Sequence, residues 1–386
     1  ADDPDRMRMQ IESRTLLCAT TFRSGHRSSD TGFEELRALC TLADDRLSLA
    51  IGMSGVVMAL AADGRSRDAA DLADEFIELV DSLGDPTLSV ALFYAPTYSK
   101  LESGEVGQAL RLAQRTVELT AGDPRKGNLV FSSPLAMAMG LVGITKMCLG
   151  MPGWQADADA AVAVAAEVDP AMHVMTHMWK YVLSIPFGAL SPDMTALQET
   201  ADALAIAEQT GDEVVLGFAL LTHGFTQLHH GGADREKGIA LLTRARDSAE
   251  GRRFVGMANV VVEPELAREK LRNGDVDGAI ELARAVVERS YSSGEMIWRW
   301  LAVTALVEAL LAHGTDIDVQ EVRAAIDRLA AVPTDEGFVL HELTLLRLRA
   351  LVARAQGDEA GYDELIGRFR ARASALGFEP LAARVD

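Results

Sequence analysis

The chain has 386 residues, 48% of them hydrophobic but only 5% aromatic, and carries a formal charge of -20. That charge excludes a polyanion partner, because phosphate contacts need clustered Lys and Arg, and here the 37 basic residues are dispersed. It disfavours acidic membrane surfaces equally, and no apolar stretch reaches the length of a span.

In chain order, turn signals fall at Gly25, Gly64, Gly104, Met151 to Gly153, Leu190 to Pro192, Gly231 to Gly232, Gly274, Gly314 and Gly357. They are about 40 residues apart, a period that marks a repeat architecture. A second set alternates with them: Gly84 to Pro86, Gly122 to Pro124, Asp169 to Pro170, Gly211 to Asp212, Gly251, Gly294, Pro333 and Gly377. Each repeat therefore reads as helix, short turn, helix, looser turn. The expected first helices are 5–23, 44–62, 86–103, 131–149, 170–187, 212–230, 255–272, 295–312 and 336–355. Proline at 86, 124 and 170 suits a first helical turn, where its missing N–H costs nothing.

The second helices carry a recurring apolar comb. Gly64 is followed by Ala69, Ala73, Phe76 and Ile77, and Gly104 by Ala109, Ala113, Thr116 and Val117. Gly153 leads into Ala158, Val162, Ala165 and Ala166, and Gly274 into Ala279, Ala283, Val286 and Val287. These positions share one helical face, so a turn glycine feeds an amphipathic helix each time. No β-branched run alternates with polar residues, and the expectation is an all-α chain without strands.

The comb resembles the second half of the tetratricopeptide repeat, most closely at Asn273 to Ile280, with Leu266 and Ala267 where that family places its first-helix packing pair. The period is longer than the family's 34 residues. The resemblance implies a right-handed α-solenoid of about nine helical hairpins, one continuous domain across 1–386, since each repeat contacts only its neighbours. Most of the chain is also similar to the C-terminal helical region of actinobacterial proteins that carry a nucleotide cyclase domain and an AAA-type ATPase. The stretches that carry this likeness are Gly84 to Leu88, Lys100 to Glu105, Gly122 to Asn128, Leu149 to Trp154, Ser184 to Pro186 and Ala331 to Gly337. It implies an interaction or regulatory arm of a signalling protein, and a chain beginning at Ala rather than Met reads as a fragment of something longer.

No motif here carries chemistry. A phosphate-binding Gly-Lys-Ser/Thr loop is missing, and the Gly122 to Gly127 turn has a proline where a cradle needs an amide. His173 and His177 lie one helical turn apart without a third ligand nearby in sequence, so no metal or cofactor is expected. Cys18, Cys40 and Cys148 have no ligand spacing and read as buried free thiols, which fits a reducing cytoplasm. Neither nucleotide cyclase nor ATPase turnover is expected of this chain, whatever its parent protein contains.

In tetratricopeptide repeats, positions along the first helix line a concave groove. Counting back from Ala109 reaches Tyr94 and Tyr98; equivalent counts from Leu197, Leu241 and Ala279 reach Trp179, then His223, Thr226 and His230, then Arg268. Flat apolar rings with hydrogen-bonding tips suit recognition of a peptide or protein, a small effector, or a neighbouring ATPase domain. Two alternatives stand beside this reading. One is the effector-sensing arm of an ATPase-type transcription activator; the other is an enzyme with a metal or closed polar pocket inside the solenoid.

Overall fold

A computed structural model describes residues 4–22, 24, 27–252 and 255–383. The turn signal at Gly25 lies outside the described residues. Among those described there are twenty-one α-helices, one short 3-10 turn and no strand.

The helices run as nine hairpins. The first four are α1 (Pro4–Thr20) with α2 (Phe33–Ala43), α3 (Arg46–Ala62) with α4 (Ser66–Leu83), α5 (Pro86–Leu92) and α6 (Tyr94–Glu102) with α7 (Val106–Thr120), and α8 (Pro134–Cys148) with α9 (Trp154–Ala166). Next come α10 (Pro170–Tyr181) and α11 (Ser184–Phe187) with α12 (Met194–Thr210), then α13 (Glu213–His230) with α14 (Asp234–Arg252). The last three are α15 (Val255–Arg272) with α16 (Val276–Ser293), α17 (Arg299–His313) with α18 (Asp316–Ala330), and α19 (Val339–Ala355) with α20 (Glu359–Ala375), followed by α21 (Glu379–Ala383). No helix among them is long and apolar enough to cross a membrane.

The turn chemistry explains the punctuation. Asp85 and Asp169 each accept two backbone N–H groups of the helix that follows, and a proline occupies that helix's first turn. Asp45, Asp275 and Asp358 cap their helices by accepting one N–H each, from Ser48, Gly278 and Gly361. The comb alanines lie in the core between helices: Ala69, Ala109 and Ala279 are fully buried and Ala158 nearly so. On the outer surface, arginine pairs join one second helix to the next, as in Arg115 to Asp81 at 2.6 Å and Arg284 to Glu321 at 2.8 Å. Such exposed pairs contribute little to stability each. Cys18, Cys40 and Cys148 are buried and unbridged.

Three expected helices differ from the observed ones. The stretch 86–103 divides at Phe93, and 170–187 divides after Tyr181. The cause is Pro96 and Pro186, which cannot donate to the carbonyls of Leu92 and Val182 and whose rings crowd them. Pro264 is tolerated inside α15, which continues through it. The eighth first helix begins at Arg299 rather than 295, because Glu295 to Trp298 are used elsewhere. Gly251, read as a breaker, lies at the end of α14.

Where Glu295 to Trp298 go determines the shape. The solenoid coils far enough for its later hairpins to rest on its earlier ones. The Met296 N–H donates to the Glu102 carbonyl at 2.8 Å, and Met296 packs on Gly104 so tightly that a Cβ there would lie 2.9 Å away. One repeat further on, the Gly107 N–H donates to Asp335 Oδ2 at 2.7 Å, and Gly150 packs against Val339 and Leu376. Helix α15 touches α3, and Phe378 stacks edge-on to Trp154 and Phe187 at 6.3 and 6.1 Å. The concave groove of an open solenoid is thereby narrowed to an interior cavity.

Candidate functional site

The cavity holds about 620 Å³ and lies against the inner faces of α13, α15, α17 and α19. Each helix contributes a stripe at helical spacing: Glu265, Arg268 and Arg272 from α15, Trp300, Thr304 and Glu308 from α17, and Leu343, Arg347 and Leu351 from α19. Phe187, Leu228, Phe369 and Leu381 complete an apolar wall, with Trp300 edge-on to Phe187 at 4.7 Å.

An ion-pair ladder crosses the cavity one repeat at a time. Arg268 donates to Glu308 Oε2 at 3.0 Å and to Glu265 Oε1 at 2.8 Å. Arg347 donates to Glu308 Oε1 at 2.8 Å. Arg268 and Glu308 are 40 residues apart and Glu308 and Arg347 are 39, so the rungs keep the period of the chain. Burial opposes the charge on Arg268, but Glu308 and Glu265 outweigh it and hold the guanidinium above its ordinary range. Burial likewise opposes ionised Glu308, and Arg268 and Arg347 reverse that, keeping the carboxyl below its ordinary value. Behind the rim, Glu269 Oε2 accepts from Arg235 Nε at 3.0 Å and from Arg272 Nη1 at 3.0 Å.

The groove residues read from the sequence separate into three environments. Arg268 lines the cavity. Tyr94, Tyr98 and Trp179 come together elsewhere, with centroids 6.2 Å apart for the two tyrosines and 6.0 Å for Tyr98 and Trp179, and with Phe131 4.5 Å from Tyr94. That cluster joins α6 and α10 with the segment just ahead of α8; Tyr98 and Trp179 are buried, and Tyr94, Tyr98 and Trp179 all lie outside the lining of the large cavity. Burial raises both tyrosine hydroxyls well above their ordinary pKa. His223 is buried between Thr200 Oγ1 and Gln227 Nε2, each at 2.9 Å, and burial lowers its pKa. Thr226 is buried and bonds back to the Thr222 carbonyl at 2.8 Å, while His230, which is exposed, pairs with Asp234 at 3.2 Å.

Solved structures share this fold. The fold is similar to that of a Rap protein. The solved structure of a Rap protein complexed with Competence and Sporulation Factor matches with a TM-score of 0.58 at 13% identity, covering 96% of this chain and 99% of that one. At that identity the likeness speaks for the fold, a tetratricopeptide-like array of helical hairpins. No family model and no curated protein matches the chain.

The counts from Ala109, Leu197, Leu241 and Ala279 do not reach Glu265, Trp300, Glu308 or Arg347. The signal was available in another form: an Arg, Glu, Arg series at the repeat period, on the inner face of consecutive first helices. The His173 and His177 rings meet edge-on at 4.6 Å, and the His177 ring bonds to the His173 carbonyl at 2.8 Å. No group of three His, Cys, Asp or Glu residues converges on a metal-sized centre among the described residues.

Proposed function

We propose that this chain is an interaction module that captures a short peptide or small effector in its central cavity and so regulates domains of a larger signalling protein. The observation that carries the reading is the cavity itself. Its volume of about 620 Å³ falls within the ~300–1,000 Å³ typical of ligand sites, and it combines an apolar wall with a few fixed charges. The similar solved structure is a complex with Competence and Sporulation Factor, a relation that supports a binding use of such a scaffold. The regulatory part rests on the resemblance to the helical arm of cyclase and ATPase signalling proteins.

Catalysis inside the cavity is disfavoured by the state of its carboxylates. Both oxygens of Glu308 are engaged by arginines, and Glu265 is engaged by Arg268, so neither is poised as a general base. The most strongly proton-retaining carboxyls, Glu102 and Glu295, are sealed in the joint between successive turns and do not line the cavity.

The test is retention. A random tetrapeptide mixture passed with the purified chain through a sizing column should leave a subset of peptides bound, identified by mass spectrometry. Leu351→Trp, which adds bulk to the cavity wall, should release that subset while circular dichroism stays unchanged. Retention of the same peptides by both proteins would remove the cavity as the site; retention of none would remove short peptides as ligands.

A further inference from the structure

The chemistry of the cavity goes further than its size. Four arginines line it, Arg235, Arg268, Arg272 and Arg347, against Glu265 and Glu308, with Glu269 just behind the rim. Four positive charges against three negative leave a surplus of one, in a chain whose total charge is -20.

The balance of donors and acceptors is more unequal than the charge. Glu308 has each oxygen occupied, and one oxygen of Glu269 already accepts from two arginines. Arginine has five N–H donors in a fixed fork. Among the described residues Arg347 uses one hydrogen bond, to Glu308, and Arg272 uses one, to Glu269. Their side chains are 21% and 53% exposed, so the remaining donors are open to solvent or to a guest. A cavity with occupied acceptors and spare planar donors selects a ligand rich in acceptors. A carboxylate fits the arginine fork in two-point fashion. The same cavity is lined by Leu343, Phe187 and Trp300, apolar surfaces whose one polar group is the Trp300 indole N–H, a buried donor without a partner among the described residues.

From this pairing we propose that the cavity selects a carboxylate on an apolar body, with Arg347 and Arg272 binding the carboxylate and the Phe187 to Trp300 wall taking the body. This rests on the cavity being a ligand site. Two sources share the chemistry: the C-terminus of a short apolar peptide and a free medium-chain carboxylic acid.

Titration calorimetry of the full chain with three probes separates them. The probes are an acetylated tetrapeptide of leucine and phenylalanine with a free C-terminal carboxylate, the same peptide as its C-terminal amide, and octanoate. The free acid should bind at least about tenfold tighter than the amide, with the advantage shrinking as salt rises. Arg347→Met should abolish the preference, and Arg272→Met, which leaves the buried ladder intact, should reduce it, with circular dichroism confirming that both variants remain helical. Octanoate binding with the same Arg347 dependence, and no binding of the peptide acid, would support the carboxylate assignment and identify the free acid as its source. Equal affinity for acid and amide would overturn the carboxylate assignment while leaving the cavity as a site. No binding of any probe, with the tetrapeptide mixture still retained, would overturn this assignment alone.

Discussion

The joint between turns of the coil should make stability depend on pH in an unusual direction. Glu102 and Glu295 meet there, 5% and 3% exposed. Burial raises Glu102 from 4.5 to about 7, against the pull of hydrogen bonds from Tyr98 and from Trp298, whose Nε1 lies 3.3 Å from Glu102 Oε1. Glu295 is raised by burial and then by Glu102; its Oε1 accepts the Trp298 N–H at 2.6 Å, while Oε2 has no partner among the described residues. Arg299 is the nearest cation, and its own charge is disfavoured by burial. A carboxyl whose folded pKa exceeds its unfolded value stabilises nothing extra by ionising. The fold is at full strength below 4.5, where the group is protonated in both states, and weakens as pH rises through 7. The full difference between 4.5 and about 7 amounts to about 3 kcal/mol. In a chain of 386 residues that unfolds as one unit, this lowers the melting temperature by roughly 4 °C.

Glu102→Gln isolates the effect, because an amide keeps an acceptor for Trp298 and cannot ionise. Melting curves of both proteins from pH 4.5 to pH 8.5 share the titrations outside this joint, and within it the variant also frees Glu295 from the push of the Glu102 charge. Wild type should lose about 3 kcal/mol more than the variant across that range. Parallel curves for the two proteins would refute the reasoning, since the buried carboxyl would then carry no cost.

Two further outcomes follow from packing. Gly104→Ala places a Cβ 2.9 Å from Met296 at a φ of +87°, whereas Gly274→Ala, at a similar φ of +84°, meets open space. The first should cost about 1–3 kcal/mol beyond the second in urea denaturation, and equal costs would mean that the turns do not press together there. Ala279→Phe should overpack the contact of α16 with its neighbours and cost about 1–3 kcal/mol by the same measurement, an unchanged midpoint being the contrary result.

The repeat and its helices were legible in the sequence because they depend on local chemistry. An aspartate before a first-turn proline, a glycine at each reversal, and an alanine comb at helical spacing act over a few residues, and the structure bears them out except at Asp123 and Pro124, which lie in a run of turns ahead of α8, whose first-turn proline is Pro134 behind the Ser133 cap. The breaks at Phe93 and after Tyr181 were also local, since Pro96 and Pro186 stand in the chain; α15 runs through Pro264 unbroken, so a proline by itself does not fix a break. What the sequence could not decide was how far the solenoid coils. Glu295 to Trp298 look like the start of a helix until Glu102, almost two hundred residues earlier, takes the Met296 N–H. The cavity has the same origin. Arg268, Glu308 and Arg347 are spaced by the repeat and visible as a series, but only the curvature that turns successive first helices inward makes them rungs of one ladder. Local propensity sets the helices, while the sum of small rotations between repeats sets the coil, and that sum belongs to no single residue.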